Sequence, residues 1–336
     1  MRTGHNPAKS SLPAYQPQPL AVASLVYIPH TAGYFQDALR IFSLQVHSLR
    51  SNTGTPFDLL VFDNGSAPEV KTELLRMQQE GLIDHVISSR HNLGKTGAIN
   101  WIFSALPNEL ICYTDSDVYF RPGWFQASQA LLNNFERVGL VTAQPCFNNI
   151  IREEMSAHHA LQNNPAYQLE EMDADPAAAE EYAHGIGASE ELRSIISQKR
   201  FVTLRHRQSQ AQAVLGASHM QFLARREVMQ QVLPLPAAWA LHRDEDRQLQ
   251  LRIDQLNYLE ISTLQPLVFH MGNQMDAAVQ TEARWLEPGS NSEAATPQAS
   301  NAKPALRLAR WLAQRPRLRA LLERAYHFLF QALQKH

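Results

Sequence analysis

Short apolar runs alternate with longer stretches of helical periodicity through the first half of the chain. The apolar runs cover residues 25–28, 59–62, 85–87, 110–113 and 140–142. Uninterrupted apolar runs of this length are typical of strands that are covered on both faces. Helical patterns lie between them, over residues 36–49, 69–80, 95–106 and 124–134. This alternation predicts an α/β fold with a mostly parallel central sheet and helices on both faces.

The pattern changes between residues 148 and 209, where the periodicity weakens and acidic residues outnumber basic ones. We expect an insertion of irregular or helical structure here, placed over the ligand site. Periodic order returns with an apolar strand over residues 216–224 and helices over residues 225–232 and 244–256. Two further strands are predicted over residues 258–261 and 267–270.

The two ends of the chain differ from the middle in composition. Residues 1–20 contain several prolines and lack the basic start and apolar run of a signal peptide, so we expect a disordered lead-in. The main domain is predicted over residues 21–286, followed by a Ser-, Asn-, Ala- and Pro-containing linker over residues 287–304. In residues 305–336 arginines alternate with leucines, which predicts basic amphipathic helices. Such helices can lie on an anionic membrane surface, or they can cap a protein surface.

Composition narrows the class of protein. The 336 residues are 44% hydrophobic, which is enough for a large core, and the formal net charge of -2 gives no reason to expect nucleic-acid binding. No run in the sequence approaches the roughly 18 apolar residues that cross a bilayer. Cys112 and Cys146 both lie in or beside apolar runs, which favours a reducing compartment over a disulfide framework. The sequence therefore predicts a cytoplasmic protein, with residues 305–336 as a candidate contact with the cytoplasmic face of the membrane.

Polar clusters follow three of the predicted strands. Asp63 begins the sequence Asp-Asn-Gly-Ser, Arg90 begins Arg-His-Asn-Leu-Gly-Lys, and Asp115 and Asp117 flank a serine. Parallel sheets bind ligands just beyond the carboxyl ends of their strands. We therefore expect the three clusters to converge on one rim of the sheet.

Asp115 and Asp117 stand two residues apart directly after an apolar strand. Two nearby carboxylates repel unless a proton or cation lies between them, and oxygen ligands suit a hard divalent cation. The alternative is a solvated turn or a helix cap, which is the commoner role of an isolated Asp-x-Asp. His270 ends a late apolar strand, where it can complete a metal site or serve as a core histidine.

A glycine-containing segment opens the helix predicted after the third strand. It begins at Asn92 and ends at Asn100, and its glycines, among them Gly94, allow close approach of the backbone. Arg90 and Lys95 could reach a phosphate at this helix start. Alternatively, the segment is simply a glycine-rich turn between a strand and a helix.

Two acidic positions complete the candidate set. Asp63 could accept hydrogen bonds from a nucleobase or a ribose, or it could be only the first residue of a turn. Residues 244–246 are all acidic and start a predicted helix, where the helix dipole favours acids. Three acids exceed what capping needs, so one of them is a candidate catalytic base.

In this order the motifs resemble the family 2 glycosyltransferases, and the resemblance spans residues 21–272. They are Asp-x-Gly-Ser at residues 63–66, Asn-x-Gly-x-x-x-Ala-x-Asn at residues 92–100, Asp-x-Asp at residues 115–117, an apolar strand followed by Arg-Arg-Glu-Val at residues 225–228, and Glu-Asp-x-x-Leu-x-x-Arg at residues 245–252. The resemblance implies a GT-A fold with a Rossmann-like sheet, and a nucleotide-sugar donor, most often a UDP-sugar. The acceptor would be an unidentified hydroxyl, bound by residues 148–209 and the region around Trp239.

The resemblance also implies roles for individual residues. Asp63 would contact the nucleotide base, Asp115 the ribose or the metal, and Asp117 and His270 an Mg2+ or Mn2+ ion. Asp246 would deprotonate the acceptor hydroxyl, so that an in-line attack inverts the anomeric centre. The remaining nucleotide-binding candidates are Arg90, Asn92, Gly94, Lys95 and Asn100.

Two departures from the family pattern qualify this prediction. The first strand ends in Pro-His-Thr-Ala-Gly, whereas the family shows an aromatic residue and Asn after its proline. Processive synthases carry Gln-x-x-Arg-Trp, but here Gln280 and Arg284 are one residue too far apart, which favours single transfer. The alternatives are a non-catalytic binding or scaffold protein of the same fold, and a sugar nucleotidyltransferase. The nucleotidyltransferase would need a Gly-rich, Arg-containing loop after its first strand.

Overall fold

The computed structural model describes residues 15–147, 164–236 and 245–283, with the backbone alone for residues 245–247. The strands are β1 (Leu20–Val26), β2 (Phe57–Asn64), β3 (His85–Ser89), β4 (Leu110–Asp115), β5 (Val118–Phe120), β6 (Val138–Thr142), β7 (Tyr167–Asp173), β8 (Arg200–His206), β9 (Gln212–Leu215), β10 (Gln221–Arg225), β11 (Leu259–Ser262) and β12 (Val268–His270). The helices are α1 (Ala38–Asn52), α2 (Pro68–Gln79), α3 (Gly94–Ala105), α4 (Trp124–Asn134), α5 (Pro176–Gly185), α6 (Glu190–Ser197), α7 (Arg226–Val232), α8 (Glu245–Gln255) and α9 (Ala277–Ala283).

Ten strands form one twisted sheet in the order β3-β2-β1-β4-β10-β6-β11-β9-β8-β7. Strands β2, β3, β4, β6, β8 and β11 run in the same direction as β1, whereas β7, β9 and β10 run in the opposite direction. The sheet is therefore large and mostly parallel. The two remaining strands, β5 and β12, form a separate antiparallel pair.

Helices cover both faces of the sheet because successive side chains of each strand point to opposite sides. Leu20 and Val22 of β1 join a core with apolar side chains of α1, α2 and α4. Ala21 and Ala23 join a second core with α3, α7 and α8. The predicted α/β fold class, with a mostly parallel central sheet and helices on both faces, is confirmed for the described residues.

The helices that flank β1 and β2 follow from their apolar periodicity. In α2 the buried positions Val70, Leu74 and Met77 are four and three residues apart, which places them on one helical face. Pro68 lies in the first turn, where its missing N–H costs nothing. Each fully buried side chain of this kind contributes about 1.5–3 kcal/mol.

The segment between residues 148 and 209 differs from its prediction. Its described part contains α5 and α6, but also β7 and β8, which pair with each other and reach the main sheet through β9. The prediction of irregular or helical structure was therefore wrong for these strands. The acids of β7 suggested a loop, yet they face arginines across the strand pair: Glu170 pairs with Arg205, and Glu171 pairs with Arg200.

Several predicted segments lie outside the described residues. They are the lead-in before residue 15, the linker over residues 287–304 and the amphipathic helices over residues 305–336. Among the residues that the structure does describe, none belongs to a helix that is both long and apolar enough to span a membrane.

Candidate active site

The Asp-Ser-Asp turn connects the main sheet to the small β5–β12 pair. Asp115 is the last residue of β4, and its backbone N–H donates to the carbonyl of Met220 at 2.8 Å. Asp117 immediately precedes β5, which pairs with β12 so that Val118 lies opposite His270. The pairing brings Asp117 into contact with His270, which lies 153 positions further along the sequence. Asp117 Oδ2 lies 3.2 Å from Nε2 of His270.

Asp117 has one carboxylate oxygen engaged and one unpaired. Its Oδ1 is buried and has no hydrogen-bond partner among the residues that the structure describes, although 32% of the side chain as a whole is exposed. An unpaired buried carboxylate oxygen is unfavourable, because water no longer solvates it. Burial acts to raise the pKa of Asp117, but the charge and hydrogen bond of His270 outweigh it and lower the pKa. The carboxylate is therefore ionised, and one of its two oxygens lacks a described partner.

His270 is held at both ring nitrogens. Its Nδ1 lies 2.8 Å from the carbonyl oxygen of Gly185, at the end of α5, and Nε2 faces Asp117. Burial acts to lower the pKa of His270, but the negative charge of Asp117 overrides burial and raises the pKa to about 8. An ion pair between His270 and Asp117 results near neutral pH.

Asp115 has different surroundings. Its Oδ2 lies 2.9 Å from Lys95 Nζ, and its Oδ1 accepts the hydroxyl hydrogen of Tyr113 at 2.8 Å. The ammonium of Lys95 also lies 5.4 Å from the centre of the Tyr113 ring. Both carboxylate oxygens of Asp115 therefore have partners within the protein. Lys95, in the first turn of α3, is the nearest described cation to this carboxylate, and a phosphate could compete for it.

Asp63 is fully buried and has contacts that a turn residue would have. Its Oδ1 accepts the backbone N–H of Ser66 at 2.8 Å, and its Oδ2 accepts the hydroxyl of Ser88. Lys71 Nζ lies 3.7 Å from Oδ2. These contacts account for a structural role of Asp63, and its contact with a nucleotide base stays a prediction.

The candidates on the glycine-containing segment also have internal partners. Asn92 Oδ1 accepts the N–H of Gly94 at 2.8 Å, and Gly94 has φ +71°, which favours glycine. Asn100 exchanges two hydrogen bonds with the backbone of Leu235, at 2.8 and 2.9 Å. Arg90 is exposed. The contacts of Asn92 and Asn100 shape the strand-to-helix turn and anchor the chain after α7, and nucleotide binding by these residues stays a prediction.

The candidate base lies at the edge of the described chain. Asp246 is the second residue of α8, and its side chain lies outside the described residues. Leu249 and Ile253 of the same helix are buried in the core with α3. The backbone of α8 is thus packed against the helix that carries Lys95, and the catalytic role of Asp246 stays a prediction.

One structural element of the site was missed by sequence reasoning. Gln45 of α1 is fully buried, donates through Nε2 to the carbonyl of Asp115, and accepts the hydroxyl of Ser24 at 2.6 Å. This hydrogen bond fixes the backbone at the start of the Asp-Ser-Asp turn. A signal was available, because Gln45 occupies the face of α1 that also carries the buried Ile41, Phe42 and Leu49.

The fold and the site together define an α/β protein with an acidic turn at the carboxyl edge of a mostly parallel sheet. The family model for glycosyl transferase family 2 matches residues 45–233, which is more than half of the 336-residue chain. The chain therefore belongs to glycosyl transferase family 2. The matched range includes the motifs at residues 63–66, 92–100 and 115–117, and the family predicted from them is confirmed.

Solved structures of glycosyltransferases are similar to this chain at low sequence identity. TarS of S. aureus, residues 1–349, is 11% identical over 73% of this chain and 57% of TarS, with a TM-score of 0.42. The mannosyltransferase PcManGT from Pyrobaculum calidifontis, in complex with GDP-Man and Mn2+, is 11% identical over 80% of this chain and 63% of PcManGT, with a TM-score of 0.47. GalNAc-T7 with UDP, GalNAc and Mn2+ is 11% identical over 76% of this chain and 43% of GalNAc-T7, with a TM-score of 0.47.

The alignments thus span less than two thirds of each of these three chains. No curated protein sequence matches the chain.

Proposed function

We propose that this protein transfers a hexose from a nucleotide-diphosphate sugar to an acceptor hydroxyl, using a divalent cation. The observation that carries this proposal is the unpartnered, buried Oδ1 of Asp117 beside His270. Family membership supports transfer of a glycosyl group. The geometry of Asp117 and His270 supports the dependence on a metal.

The two side chains fit a cation of the Mn2+ type. Carboxylate oxygen suits both Mg2+ and Mn2+, and an imidazole ligand favours the transition metal. In the described part of the chain, no group of three or more His, Cys, Asp and Glu side chains could hold a metal ion. Asp117 and His270 would therefore supply two ligands, and donor oxygens or water would supply the others. A bound cation would offset the charge that develops on the departing nucleotide diphosphate.

The remaining side chains suggest a division of roles. Lys95, at the start of α3, can exchange its contact with Asp115 for one with the diphosphate, since an ammonium at a helix N-terminus favours anions. Asp115 then becomes available to the ribose or the metal. Asp246 removes the proton from the acceptor hydroxyl, and in-line attack inverts the anomeric centre.

We also propose the finer features of the reaction that the sequence favours. UDP is the first candidate for the carrier, transfer is single rather than processive, and the acceptor binds near residues 148–209 and Trp239. The free thiols of the buried Cys112 and Cys146 support a reducing, cytoplasmic location. Membrane contact through residues 305–336 remains a prediction on residues outside the described part of the chain.

Thermal unfolding with UDP, GDP and dTDP, each with and without Mn2+, tests the proposal. One nucleotide should raise the melting temperature by about 5 °C at about 100 times its Kd, and only when Mn2+ is present. Asp117→Ala should abolish this shift, because it removes a metal ligand. Asp173→Ala is the matched control, since Asp173 is an exposed aspartate of β7 and should leave the shift unchanged.

Two other outcomes would replace the proposal. If no nucleotide stabilises the wild-type protein, the non-catalytic binding or scaffold function becomes the better account. If the protein instead releases pyrophosphate from a nucleoside triphosphate and a sugar phosphate, it is a sugar nucleotidyltransferase.

A further inference from the structure

Helix α5 ends directly against His270. Gly185 is the last residue of α5, and its carbonyl oxygen lies 2.8 Å from Nδ1 of His270. A carbonyl oxygen can only accept a hydrogen bond, so Nδ1 must carry the hydrogen. In the protonated ring Nε2 carries a hydrogen as well and faces the Asp117 carboxylate. When a cation takes the place of that hydrogen, the hydrogen bond from Nδ1 to Gly185 leaves the lone pair of the neutral ring on Nε2, towards the cation.

The approach of α5 to β12 requires a glycine at residue 185. A Cβ atom built on Gly185 would lie 2.5 Å from the carbonyl oxygen of His270 and 2.9 Å from its Cβ. The first of these contacts is with backbone that is fixed by the pairing of His270 with Val118. An alanine side chain would therefore have to push α5 away from the ring. The requirement is for space, since Gly185 has no positive φ.

Side-chain contacts hold α5 in this position from two sides. Arg121, directly after β5, donates to both carboxylate oxygens of Glu181 at 2.8 and 3.1 Å, and it also pairs with Glu282 of α9. Glu181 lies one helical turn before Gly185. His184 Nε2 lies 2.8 Å from a carboxylate oxygen of Asp276, just before α9. The end of α5 is thus tied to Arg121, which directly follows β5, and to the start of α9.

We propose that Gly185 is a positioning residue for His270. Its carbonyl selects the tautomer with hydrogen on Nδ1 and aims Nε2 at the position beside Asp117, as a hydrogen-bond partner behind a metal ligand does. The carbonyl lies at a helix C-terminus, whose partial negative charge strengthens the hydrogen bond. The inference rests on the proposed metal-dependent function. It gives the segment between β7 and β8 a role beside Asp117 and His270, in addition to its proposed role in binding the acceptor.

The first test needs neither metal nor substrate. Nitrogen NMR of histidine-labelled Asp117→Ala protein, in which Asp117 no longer competes for the hydrogen, reports the tautomer of the neutral ring under alkaline conditions. The signal lost when His270→Gln is added identifies His270. The Asp117→Ala protein should show His270 with hydrogen on Nδ1, and adding Gly185→Ala should give a mixture or the other tautomer. Hydrogen on Nε2 in the Asp117→Ala protein would overturn the proposal, as would an unchanged tautomer after Gly185→Ala is added.

The second test measures Mn2+ affinity from the electron paramagnetic resonance signal of the free ion. Gly185→Ala should weaken binding about 10- to 100-fold, the usual effect of losing a hydrogen bond behind a metal ligand. Gly187→Ala is the matched control: Gly187 lies two residues further on with φ +60°, and a Cβ there would meet no atom within 4 Å. It strains the same helix end without touching His270, so its Mn2+ affinity should stay near that of the wild type. Equal weakening in both variants would overturn the proposal.

The two tests separate this inference from the proposed function. If Gly185→Ala does not fold, the tautomer in the Asp117→Ala protein still decides the matter. Hydrogen on Nδ1 in the Asp117→Ala protein, together with binding of Mn2+ but of no nucleotide by the wild type, would support the positioning role and contradict the proposed transferase.

Discussion

The two aspartates of the Asp-Ser-Asp turn lie two residues apart but differ in how many of their carboxylate oxygens have partners. Asp115 has both carboxylate oxygens engaged, by Lys95 and by Tyr113. Asp117 contacts His270 through one oxygen, and among the described residues its other, buried oxygen has no partner. We therefore expect different roles for the two aspartates: Oδ1 of Asp117 suits a metal cation, whereas Asp115 is paired with Lys95, whose ammonium suits a phosphate.

The largest expected effect is on Mn2+ affinity, which should fall far more in a variant of Asp117 than in a variant of Asp115. Asp117→Asn should weaken Mn2+ binding at least about 100-fold, which corresponds to about 2.7 kcal/mol, because an amide is a much poorer ligand than a carboxylate. Asp115→Asn should weaken it less than about fivefold, and should instead lower the stability by about 1 kcal/mol because Lys95 loses its partner. Calorimetric titration with Mn2+ and urea unfolding measure the two effects.

The control for this pair is the melting temperature of each variant in the absence of metal, which identifies any loss of the fold. Equal loss of Mn2+ affinity in Asp115→Asn and Asp117→Asn would contradict the division of roles and make both aspartates direct ligands.

A smaller effect is expected from pH in the metal-free protein. The pKa of His270 is raised from 6.5 to about 8 by Asp117, so the ion pair stabilises the folded state fully below about pH 6.5. This stabilisation, about 1–2 kcal/mol, should be lost as the pH rises through 8. Urea unfolding in EDTA between pH 6 and 9 measures it, and His270→Gln should abolish the slope. Parallel pH profiles for the wild type and His270→Gln would exclude the ion pair as the cause.

Binding of Mn2+ should depend on pH in the opposite direction to the stability of the metal-free protein, because the metal and the proton compete for Nε2 of His270. Binding of Mn2+ should tighten as the pH rises from 6.5 to 8 and then level off.

The central sheet could be predicted from sequence because its strands are continuous apolar runs that end in polar clusters. The motifs that begin at Asp63, Asn92 and Asp115 lie at or just after the carboxyl ends of β2, β3 and β4, and they were found because ligand sites lie at such strand ends. β7 and β8 were missed because their charges pair only across strands, for example Glu170 with Arg205. Local periodicity does not report such pairing.

The residues that position the site, Gln45 and Gly185, were not identified from the sequence, for a related reason. Gln45 contacts the carbonyl of a residue 70 positions away, and Gly185 contacts His270 across 85 positions. Neither residue belongs to a motif, and each acquires its role only when the fold brings α1 or α5 against the acidic turn and β12. A glutamine on an apolar helical face was a usable signal, whereas a glycine at a helix end is ordinary.

The most direct test of the account is to locate Mn2+ by anomalous scattering in crystals soaked with Mn2+ and the nucleotide that stabilises the protein. The account predicts one peak within about 2.5 Å of both Asp117 Oδ1 and His270 Nε2, with nucleotide phosphate oxygens among the other ligands. A peak that avoids Asp117, or no peak at this position with the nucleotide bound, would contradict the proposal that Asp117 and His270 hold the catalytic metal.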